Sequence, residues 1–530
     1  MPTIEININR LEELSNVNRK RIIEILENSK IEIEEIENEK IKLTVPAERF
    51  DLMFLNGLAN YISTFENFSG FRKFFIDNSD VKVYCEKVRA RKYFACFVVE
   101  NLKFNEEILK ETINFQELIH LYIGRDRKYV AIGIHDLDKI KGKIFYKEAN
   151  PNEKFIPLSY QNELTLKEVL EITDKGRKYG KLISSYDHYP AIFDEEGIIS
   201  FPPILNSERT KLTEKTKRIF VDITGTLEKA VEDTLKLLIY FFSFYGNVKK
   251  VYLNEKEFPQ IEDKKFVLEI EKINKLIGEK FEIQDVKNLL ERMGYDTLVI
   301  ENKIGVIVPF YRLDVFNERD IIEDIAIAYG YNNFIPQIPK TFTKGKISKR
   351  EKIEEKIRKI LIGLGFTEII SPTFINSKIL EKCLINEKWT KVKNPVSEEY
   401  DTLRKILFPS IMNFLKNNIE KEYPQKVFEI GYVVKGLKGK RSIGFAIASS
   451  ETNLSEIISY IKAFFEELKL KIDLKKKDFP FFIKGRSGII VLDDEEIGFF
   501  GEVHPQVLEN FGIFVPITYC EIKDKIYSKI

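Results

Sequence analysis

The chain has 530 residues, of which 44% are hydrophobic and 32% charged, and its formal net charge is only +1. This length predicts several domains with buried cores, and the balanced charge excludes binding of nucleic acid through net charge alone, so any such contact must use local patches. Four scattered cysteines and four histidines predict neither a disulfide framework nor a zinc site, and the lack of long apolar runs predicts no signal peptide or membrane span, so we expect a cytoplasmic protein.

Two segments far apart in the chain resemble one another. Residues 45-VPAERFDLMFLNGLANYIS-63 align with 308-VPFYRLDVFNERDIIEDIAIAYGY-331, and the stretches upstream of both are also similar. We interpret them as two small α+β modules with a common strand–helix–strand–helix order, one over residues 1–80 and the other over residues 255–338.

Between the modules, residues 82–252 predict an α/β domain of strands and amphipathic helices. Near its end the turn 222-DITGT-226 joins a strand to a long helix and places Asp222 and Thr224 beside a glycine. Polar groups at the end of a strand often converge on a ligand. The alternative is that Asp222 or Thr226 only caps the following helix.

Acidic residues crowd the start of a predicted helix in the second module. Asn317 has the position of an N-cap, and Asp320 follows three residues later, as in a capping box. Asp320, Glu323 and Asp324 are neighbours on the helix, where two like charges about 4 Å apart cost on the order of 1 kcal/mol in water. Either the helix dipole offsets this repulsion or a hard cation such as Mg²⁺ does. The first module has no such acids just after Asp51, which favours the cation.

After a linker rich in proline and lysine, residues 345–530 predict a further domain that begins with a long charged helix. This region resembles the fold of class II aminoacyl-tRNA synthetases, which is built on an antiparallel sheet. The first helix and the strand broken at Pro372 resemble motif 1 of that class, and the stretch 427-VFEIG-431 resembles motif 2. The arginine expected after motif 2 is replaced at 432–434 by Tyr-Val-Val, and motif 3 is not found. Because adenylate formation requires an arginine clamp on the triphosphate, we expect this domain not to activate an amino acid.

The chain as a whole resembles the beta subunit of phenylalanyl-tRNA synthetase in its archaeal and eukaryotic form, which joins such an inactive domain to two modules and an editing domain. The resemblance runs nearly end to end. It rests on short stretches in the family's order: 125-RDRKYVAIGIHDLDKI-140, 200-SFPP-203, 221-VDITGT-226, 311-YRLDV-315, 320-DIIEDIAIAYGY-331, 394-NPVSEEYDTLR-404, 427-VFEIG-431 and 501-GEVHP-505.

The resemblance implies the partners and the chemistry. Two beta subunits join two alpha subunits in a heterotetramer, and the alpha subunit uses ATP to charge tRNA(Phe) with phenylalanine. The central domain is implied to hydrolyse mischarged Tyr-tRNA(Phe), with Ser200, Asp222 and Thr224 as our candidates for the editing pocket. No Ser/His/Asp or Cys/His arrangement is apparent, so we expect a positioned water rather than a covalent nucleophile.

The resemblance also implies a structural Mg²⁺ shared with the alpha subunit. Its ligands would be Asp314, Asp320, Glu323 and Asp324. Two other functions remain open on the residues alone: a free-standing aminoacyl-tRNA editing hydrolase, and a non-catalytic scaffold derived from a synthetase. The intact DITGT and SFPP turns speak against the scaffold, and the interface-like motif 1 speaks against the free-standing hydrolase.

Overall fold

The computed structural model describes residues 2–67, 70, 73, 75–339, 343–387 and 389–530. The chain forms two compact units, Met1–Ile338 and Pro339–Ile530. Both units contain helices and sheets, so the predicted mixed α+β, multidomain class is confirmed. No helix among the described residues has the length and apolar composition needed to cross a membrane.

The first module is a three-stranded sheet covered by helices. Its elements are β1 (Thr3–Asn7), α1 (Ile8–Ser15), α2 (Arg19–Asn28), β2 (Glu32–Glu37), β3 (Lys40–Thr44) and α3 (Leu55–Asn67). The strands pair antiparallel in the order β1-β3-β2. Asn7 and Asn18 begin the first two helices, because each side chain accepts hydrogen bonds from backbone N–H groups of the first turn.

The central region of this unit is built on a ten-stranded mixed sheet. Its elements are β4 (Asp77–Cys85), β5 (Tyr93–Glu100), α4 (Glu106–Leu121), β6 (Val130–Asp136), β7 (Ile144–Ala149), β8 (Lys154–Phe155), β9 (Leu164–Thr165), α5 (Leu166–Ile172), α6 (Asp174–Tyr179), β10 (Tyr189–Asp194), β11 (Gly197–Phe201), β12 (Leu205–Asn206), β13 (Ile219–Gly225), α7 (Glu228–Phe242), β14 (Asn247–Leu253) and β15 (Lys256–Phe258). The sheet order is β12-β11-β10-β7-β4-β14-β5-β13-β6, with β15 on β14, while β8 and β9 pair separately. The sheet therefore extends beyond residues 82–252 at both ends.

Strand β13 lies between β5 and β6 and is buried on both faces. Ile219, Val221 and Ile223 face the core that contains residues of α4 and α7, whereas Phe220 belongs to the apolar cluster on the other face. Side chains alternate along a strand, so Asp222 lies on the same face as Phe220.

The second module repeats the first. Its elements are β16 (Lys264–Glu269), α8 (Ile270–Ile277), α9 (Ile283–Arg292), β17 (Asp296–Ile300), β18 (Lys303–Val308) and α10 (Glu318–Tyr329). The sheet order β16-β18-β17 matches β1-β3-β2. The observed element order is strand–helix–helix–strand–strand–helix. It is longer than the predicted strand–helix–strand–helix order, in which one helix stands for the helix pair and one strand for the hairpin.

Each module contains the same buried ion pair. Arg49 donates to both carboxylate oxygens of Asp51 at 2.9 and 2.8 Å, and Arg312 does the same to Asp314 at 2.9 and 2.7 Å. The repeat that aligned these residues in the sequence is thus also a repeat of side-chain contacts.

The second unit is built on a seven-stranded sheet. Its elements are α11 (Lys349–Gly363), β19 (Thr367–Glu368), β20 (Phe374–Ile375), α12 (Lys378–Lys382), β21 (Thr402–Leu403), α13 (Phe408–Lys416), β22 (Gln425–Lys435), β23 (Lys438–Ala448), α14 (Leu454–Glu467), β24 (Asp473–Lys476), β25 (Phe482–Leu492), β26 (Glu495–Val503), α15 (Pro505–Phe511) and β27 (Ile517–Lys523). The sheet order is β19-β22-β23-β27-β26-β25-β24, and every pair except β19–β22 is antiparallel. One core contains residues of α11 and α14, and a second contains residues of α13 and α15.

Candidate functional site

A cavity of about 350 Å³ lies in the first unit between α4, β6 and the turn that follows β11. Its apolar wall includes Ile132, Ile134 and Leu205. Polar side chains also line it: Gln116, Glu117, Arg127, Ser159, Lys175, Ser200, Asn206 and Lys211. Apolar walls with a few converging polar groups are typical of a site for a small ligand or for one end of a larger one.

Ser200, a candidate editing-pocket residue, lines this cavity. It is 2% exposed, and its hydroxyl donates to Asn206 Oδ1 at 3.1 Å. Asn206 Nδ2 in turn donates to the backbone oxygen of Ile134 at 3.3 Å. This contact joins β12 to β6, the two outer strands of the large sheet, so the cavity is where the sheet closes on itself.

Asp222 does not line the cavity. It is fully buried on the opposite face of β13, where its Oδ2 lies 2.8 Å from His135 Nε2, and His135 Nδ1 lies 2.9 Å from the hydroxyl of Thr210. Asp222 Oδ1 has no hydrogen-bond partner. A Cβ on Gly133 would lie 2.0 Å from Asp222 Oδ2, so glycine makes the room for this carboxylate.

Thr224 also faces away from the cavity. Its hydroxyl accepts from Arg91 Nε at 3.0 Å, and its backbone oxygen accepts from Arg91 Nη2 at 2.6 Å. The structure therefore brings only Ser200 to the cavity, because Asp222 and Thr224 share one face of their strand. Neither Asp222 nor Thr226 caps α7, which begins after Leu227 without a side-chain cap.

Two contacting side chains, Glu117 at the cavity and His120 buried behind it, have shifted pKa values. Burial lowers the pKa of His120 to about 4. Its Nε2 accepts the backbone N–H of Ile132 at 2.9 Å, so the ring proton lies on Nδ1, which faces Glu117 at 3.4 Å. That contact, together with the charges of Arg127 and Lys175, lowers the pKa of Glu117 to about 2. Glu117 is thus a carboxylate and His120 a neutral ring at physiological pH.

The four predicted magnesium ligands lie around the start of α10, but each has a protein partner. Arg312 Nη2 donates to Asp314 Oδ2 at 2.7 Å and to Asp324 Oδ2 at 2.6 Å. The same Asp324 oxygen accepts from the hydroxyl of Tyr295. Burial opposes ionisation of Asp314, but Arg312 outweighs it and lowers the pKa to about 2.

The two remaining acids are directed elsewhere. Asp320 Oδ2 accepts the backbone N–H groups of Phe316 and Asn317 at 2.7 and 2.8 Å, which completes the predicted capping box. Glu323 forms an ion pair with Lys30 of the first module. No group of three or more metal-binding side chains converges among the described residues. As arranged, these four carboxylates do not fit one magnesium ion.

In the second unit, buried side chains pack around β22, the strand that resembles motif 2. Glu429 accepts from Arg404 Nη2 at 2.7 Å, and the same guanidinium donates to Ser371 Oγ at 2.6 Å and to the backbone oxygen of Tyr432 at 2.8 Å. Aromatic rings pack beside this network: Phe408, Phe481, Phe482, Phe499 and Tyr519. Arg404 is therefore engaged in the core and is not free to bind a phosphate.

Sequence reasoning missed three residues of the first unit: Asn206, which closes the sheet, and the buried Arg91 and Arg127. Arg127 lies in the stretch 125-RDRKYVAIGIHDLDKI-140, three residues before the seven buried residues of β6, and Arg91 lies two residues before β5. The available signal was an arginine just before a largely buried strand.

Comparison with known proteins agrees with the resemblance. Family models match three segments: a B3/4 domain over residues 105–239, a tRNA synthetase B5 domain over 266–331 and a phenylalanyl tRNA synthetase beta chain CLM domain over 335–523. The phenylalanine–tRNA ligase beta subunit of Methanocaldococcus jannaschii is 37% identical over 99% of this chain and 100% of its own length. That of Pyrococcus furiosus is 36% identical over 98% of this chain and 99% of its own length.

A solved structure is similar as well. The N-terminal fragment of the phenylalanyl-tRNA synthetase beta subunit from Pyrococcus horikoshii has a TM-score of 0.59 and 35% sequence identity, and the match covers 62% of this chain and 100% of the fragment. The family expected from the short stretches is thus confirmed: this chain belongs to the beta subunits of phenylalanine–tRNA ligase.

Proposed function

We propose that this chain joins an alpha subunit in an α2β2 phenylalanine–tRNA ligase of the cytoplasm. In this complex the alpha subunit uses ATP and phenylalanine to charge tRNA(Phe), and this chain supports the reaction. The observation that carries the proposal is the end-to-end similarity to beta subunits, which covers 99% of this chain and all of one relative.

The engaged arginine of the second unit supports this division of labour. Arg404 is held by Glu429, Ser371 and a backbone oxygen. An adenylating site needs arginines that are free to neutralise the phosphates of ATP. We therefore assign adenylation to the alpha subunit and regard the second unit as an inactive, class II-like domain.

We further propose that the cavity at Ser200 receives the tyrosyl group of mischarged Tyr-tRNA(Phe) for hydrolysis. The aminoacylation pocket that accepts phenylalanine rejects an amino acid with an added hydroxyl only weakly, by about 100-fold, so a second site is needed. The hydroxyl of Ser200 donates to Asn206, and no basic side chain is found within hydrogen-bond distance of it among the described residues. Ser200 therefore orients the ester or a water molecule rather than attacking it. Asp222 and Thr224 support the strand behind the cavity.

The first test is to mix the full chain with the alpha subunit of the same cell. We expect a complex of two copies of each chain that charges tRNA(Phe) with phenylalanine, whereas neither chain alone does. Absence of both a complex and charging would overturn the proposal. Hydrolysis of Tyr-tRNA(Phe) by the lone chain would then indicate a free-standing hydrolase.

The editing assignment has its own test within the assembled complex. We expect Ser200→Ala and Asn206→Ala each to slow hydrolysis of Tyr-tRNA(Phe) by about tenfold, which is the usual effect of losing one hydrogen bond between uncharged groups at a site. Charging with phenylalanine should not change. Unchanged hydrolysis in both variants would place the editing site elsewhere.

A further inference from the structure

The opening of the cavity carries an accessible lysine. Lys175 and Glu117 both line the cavity, and 42% and 45% of their side chains are exposed, so they lie where the cavity meets the solvent. Glu117 accepts from Arg127 Nη2 at 2.7 Å but lies 3.8 Å from Lys175 Nζ, beyond hydrogen-bond distance. Lys175 Nζ forms no hydrogen bond within the part of the chain that the structure describes, so its N–H groups are available to a ligand.

Further cations surround Lys175. The Arg127 guanidinium and Lys178 Nζ each lie 4.8 Å from the centre of the Tyr179 ring, and Lys175 Nζ lies 6.0 Å from it. Arg127 also donates to the backbone oxygen of Ile204 at 3.2 Å, which fixes its guanidinium. Lys175 and Lys178 are three residues apart on α6, where like charges repel. Burial and the charge of Arg127 lower the pKa of Lys175. An anion bound here would offset this repulsion.

The loop before β6 adds two more cations. Lys178 Nζ lies 3.3 Å from Asp126 Oδ1, so α6 contacts this loop. Arg125 and Lys128, on either side of Asp126, are exposed. The four accessible cations form what we call the basic rim: Arg125, Lys128, Lys175 and Lys178. Only two carboxylates, those of Asp126 and Glu117, form ion pairs with the rim or with Arg127 among the described residues, so positive charge is in excess.

The substrate brings an anion to this place. The aminoacyl group is esterified to the terminal ribose of tRNA. When that group occupies the cavity, the last phosphodiesters of the RNA must therefore pass the opening. The 3′ end of tRNA is single-stranded, and proteins follow the backbone of a single strand with positively charged grooves. Each phosphate that is neutralised releases counterions, so such binding weakens as the salt concentration rises.

Resting on the editing function proposed above, we infer that the basic rim binds the phosphodiester backbone at the 3′ end of the mischarged tRNA. Lys175 and Lys178 donate to phosphate oxygens next to the esterified adenosine, and Arg125 and Lys128 extend the contact along the strand. The rim thus holds the end of the tRNA while the cavity holds the tyrosyl group.

The test compares two stable probes by calorimetry with the full chain at several salt concentrations. One is the tyrosyl amide of 3′-amino-3′-deoxyadenosine, which has no phosphate, and the other carries the same group at the end of a CCA trinucleotide. We expect the trinucleotide to bind more tightly. The logarithm of its binding constant should fall linearly with the logarithm of the salt concentration, with a slope of about −0.7 for each phosphate that is contacted.

The variants Lys175→Gln and Lys178→Gln remove one cation of the rim each. We expect each to weaken the trinucleotide about threefold or more, to make its salt slope shallower, and to leave the nucleoside probe within about twofold. Arg177→Gln is the matched control. Arg177 is an exposed cation of the same helix, but its Nη2 donates to the backbone oxygen of Ile172 at 2.8 Å and it does not line the cavity. Its salt slope should stay that of the wild type.

The outcomes separate this inference from the function on which it rests. A trinucleotide that binds no more tightly than the nucleoside would overturn the inference. Equal weakening of both probes by the lysine variants, unchanged binding in those variants, or the same loss in Arg177→Gln would overturn it as well. In each case hydrolysis of Tyr-tRNA(Phe) by the wild-type complex would leave the editing function standing. A wild-type complex that leaves Tyr-tRNA(Phe) intact would overturn both.

Discussion

At the scale of single residues, Asp222 and His135 form a fully buried hydrogen-bonded pair on the far side of the sheet from the cavity. Removing one partner leaves the other buried without its bond, whereas removing both leaves only the Thr210 hydroxyl without its contact to His135. Their role is therefore to fix strands β6 and β13 behind the cavity.

We expect Asp222→Ala and His135→Ala each to lower the free energy of unfolding of the first unit by about 2–3 kcal/mol. The double variant should cost clearly less than the sum of the two, because contacting residues couple. Urea denaturation of the wild type, the two single variants and the double variant gives the four free energies of this double-mutant cycle. Additive losses would contradict the pairing.

The acids at the start of α10 give a second prediction at this scale. Because Arg312 holds Asp314 and Asp324, and a backbone contact and Lys30 hold the other two, we expect the isolated chain to retain less than one magnesium ion per chain after gel filtration. Elemental analysis measures this directly. One full equivalent in the isolated chain would contradict the observed arrangement.

Magnesium shared with the alpha subunit stays a separate prediction. If this magnesium ion binds in the assembled complex, Asp320→Ala combined with Glu323→Ala should weaken assembly and remove the metal from the complex. Unchanged assembly, with no metal in the wild-type complex, would rule it out.

At the scale of elements, the contact between α4 and β6 links stability to pH. The pKa of His120 is about 4 in the folded protein, below the usual value of about 6.5 in an unfolded chain, so the unfolded state binds more protons between these values. The stability that this group contributes is present above pH 6.5 and is lost as the pH falls towards 4. Glu117, whose pKa is lowered to about 2, adds a further loss below about 4.5, the usual range of a glutamate.

We therefore expect the first unit to lose about 2 kcal/mol of stability between pH 7 and pH 5 through His120. Urea midpoints at the two pH values measure the loss. His120→Gln, which keeps an acceptor for the Ile132 N–H without a titration in this range, should show a clearly smaller loss. Equal losses in both proteins would assign the pH dependence to other groups.

The N-terminus of α10 offers a test of a local signal. Asn317 Oδ1 accepts from the Arg319 N–H at 2.9 Å, and Asp320 completes the box. We expect Asn317→Ala to lower the free energy of unfolding by about 1 kcal/mol and Asn317→Ser to cost much less, since serine is also a good cap. Chemical denaturation compares them. Equal costs would show that the cap contributes little.

These elements also show what the sequence was able to predict. The Asn317 box was predictable because all its atoms lie within four residues, and the long charged helix predicted at the start of the last domain is observed at Lys349–Gly363 for the same local reason. The sequence could not predict that Asp222 points away from the cavity, because strands and helices distant in the chain determine which face of β13 is turned towards the cavity. The roles of Asn206 and Arg127 depend on contacts across 72 to 77 residues.

At the scale of the whole molecule, the boundary between the two compact units falls between Ile338 and Pro339 in the chain, and a solved fragment of a relative covers 62% of this chain. We expect residues 1–338 expressed alone to be folded and to unfold in one cooperative transition, since one apolar cluster contains residues of both modules and of the central region. Circular dichroism and gel filtration check this. Separate transitions for the two modules would show that the cluster does not couple them.

The same fragment tests editing separately from the charging of tRNA(Phe). Since the cavity proposed for editing lies within the first unit, we expect the fragment to bind a stable tyrosyl analogue, the tyrosyl amide of 3′-amino-3′-deoxyadenosine, as the full chain does. Loss of that binding, with the fragment still folded, would mean that the second unit contributes to the site.

The paired modules have a consequence for the ancestry of the chain. Helix α3 of the first module packs against α9 of the second, with the Tyr61 hydroxyl 3.6 Å from Met293 Sδ, while Lys30, just after α2, reaches Glu323 in α10. Since α2 corresponds to α9 and α3 to α10, each half offers its partner the same surface, as two identical protomers do about a twofold axis. The first strand of the intervening sheet, β4, also lies beside β14, the second-last strand, with Asp77 opposite Lys249. A self-associating ancestor, duplicated by gene fusion and later interrupted by an inserted hydrolase domain, accounts for both features.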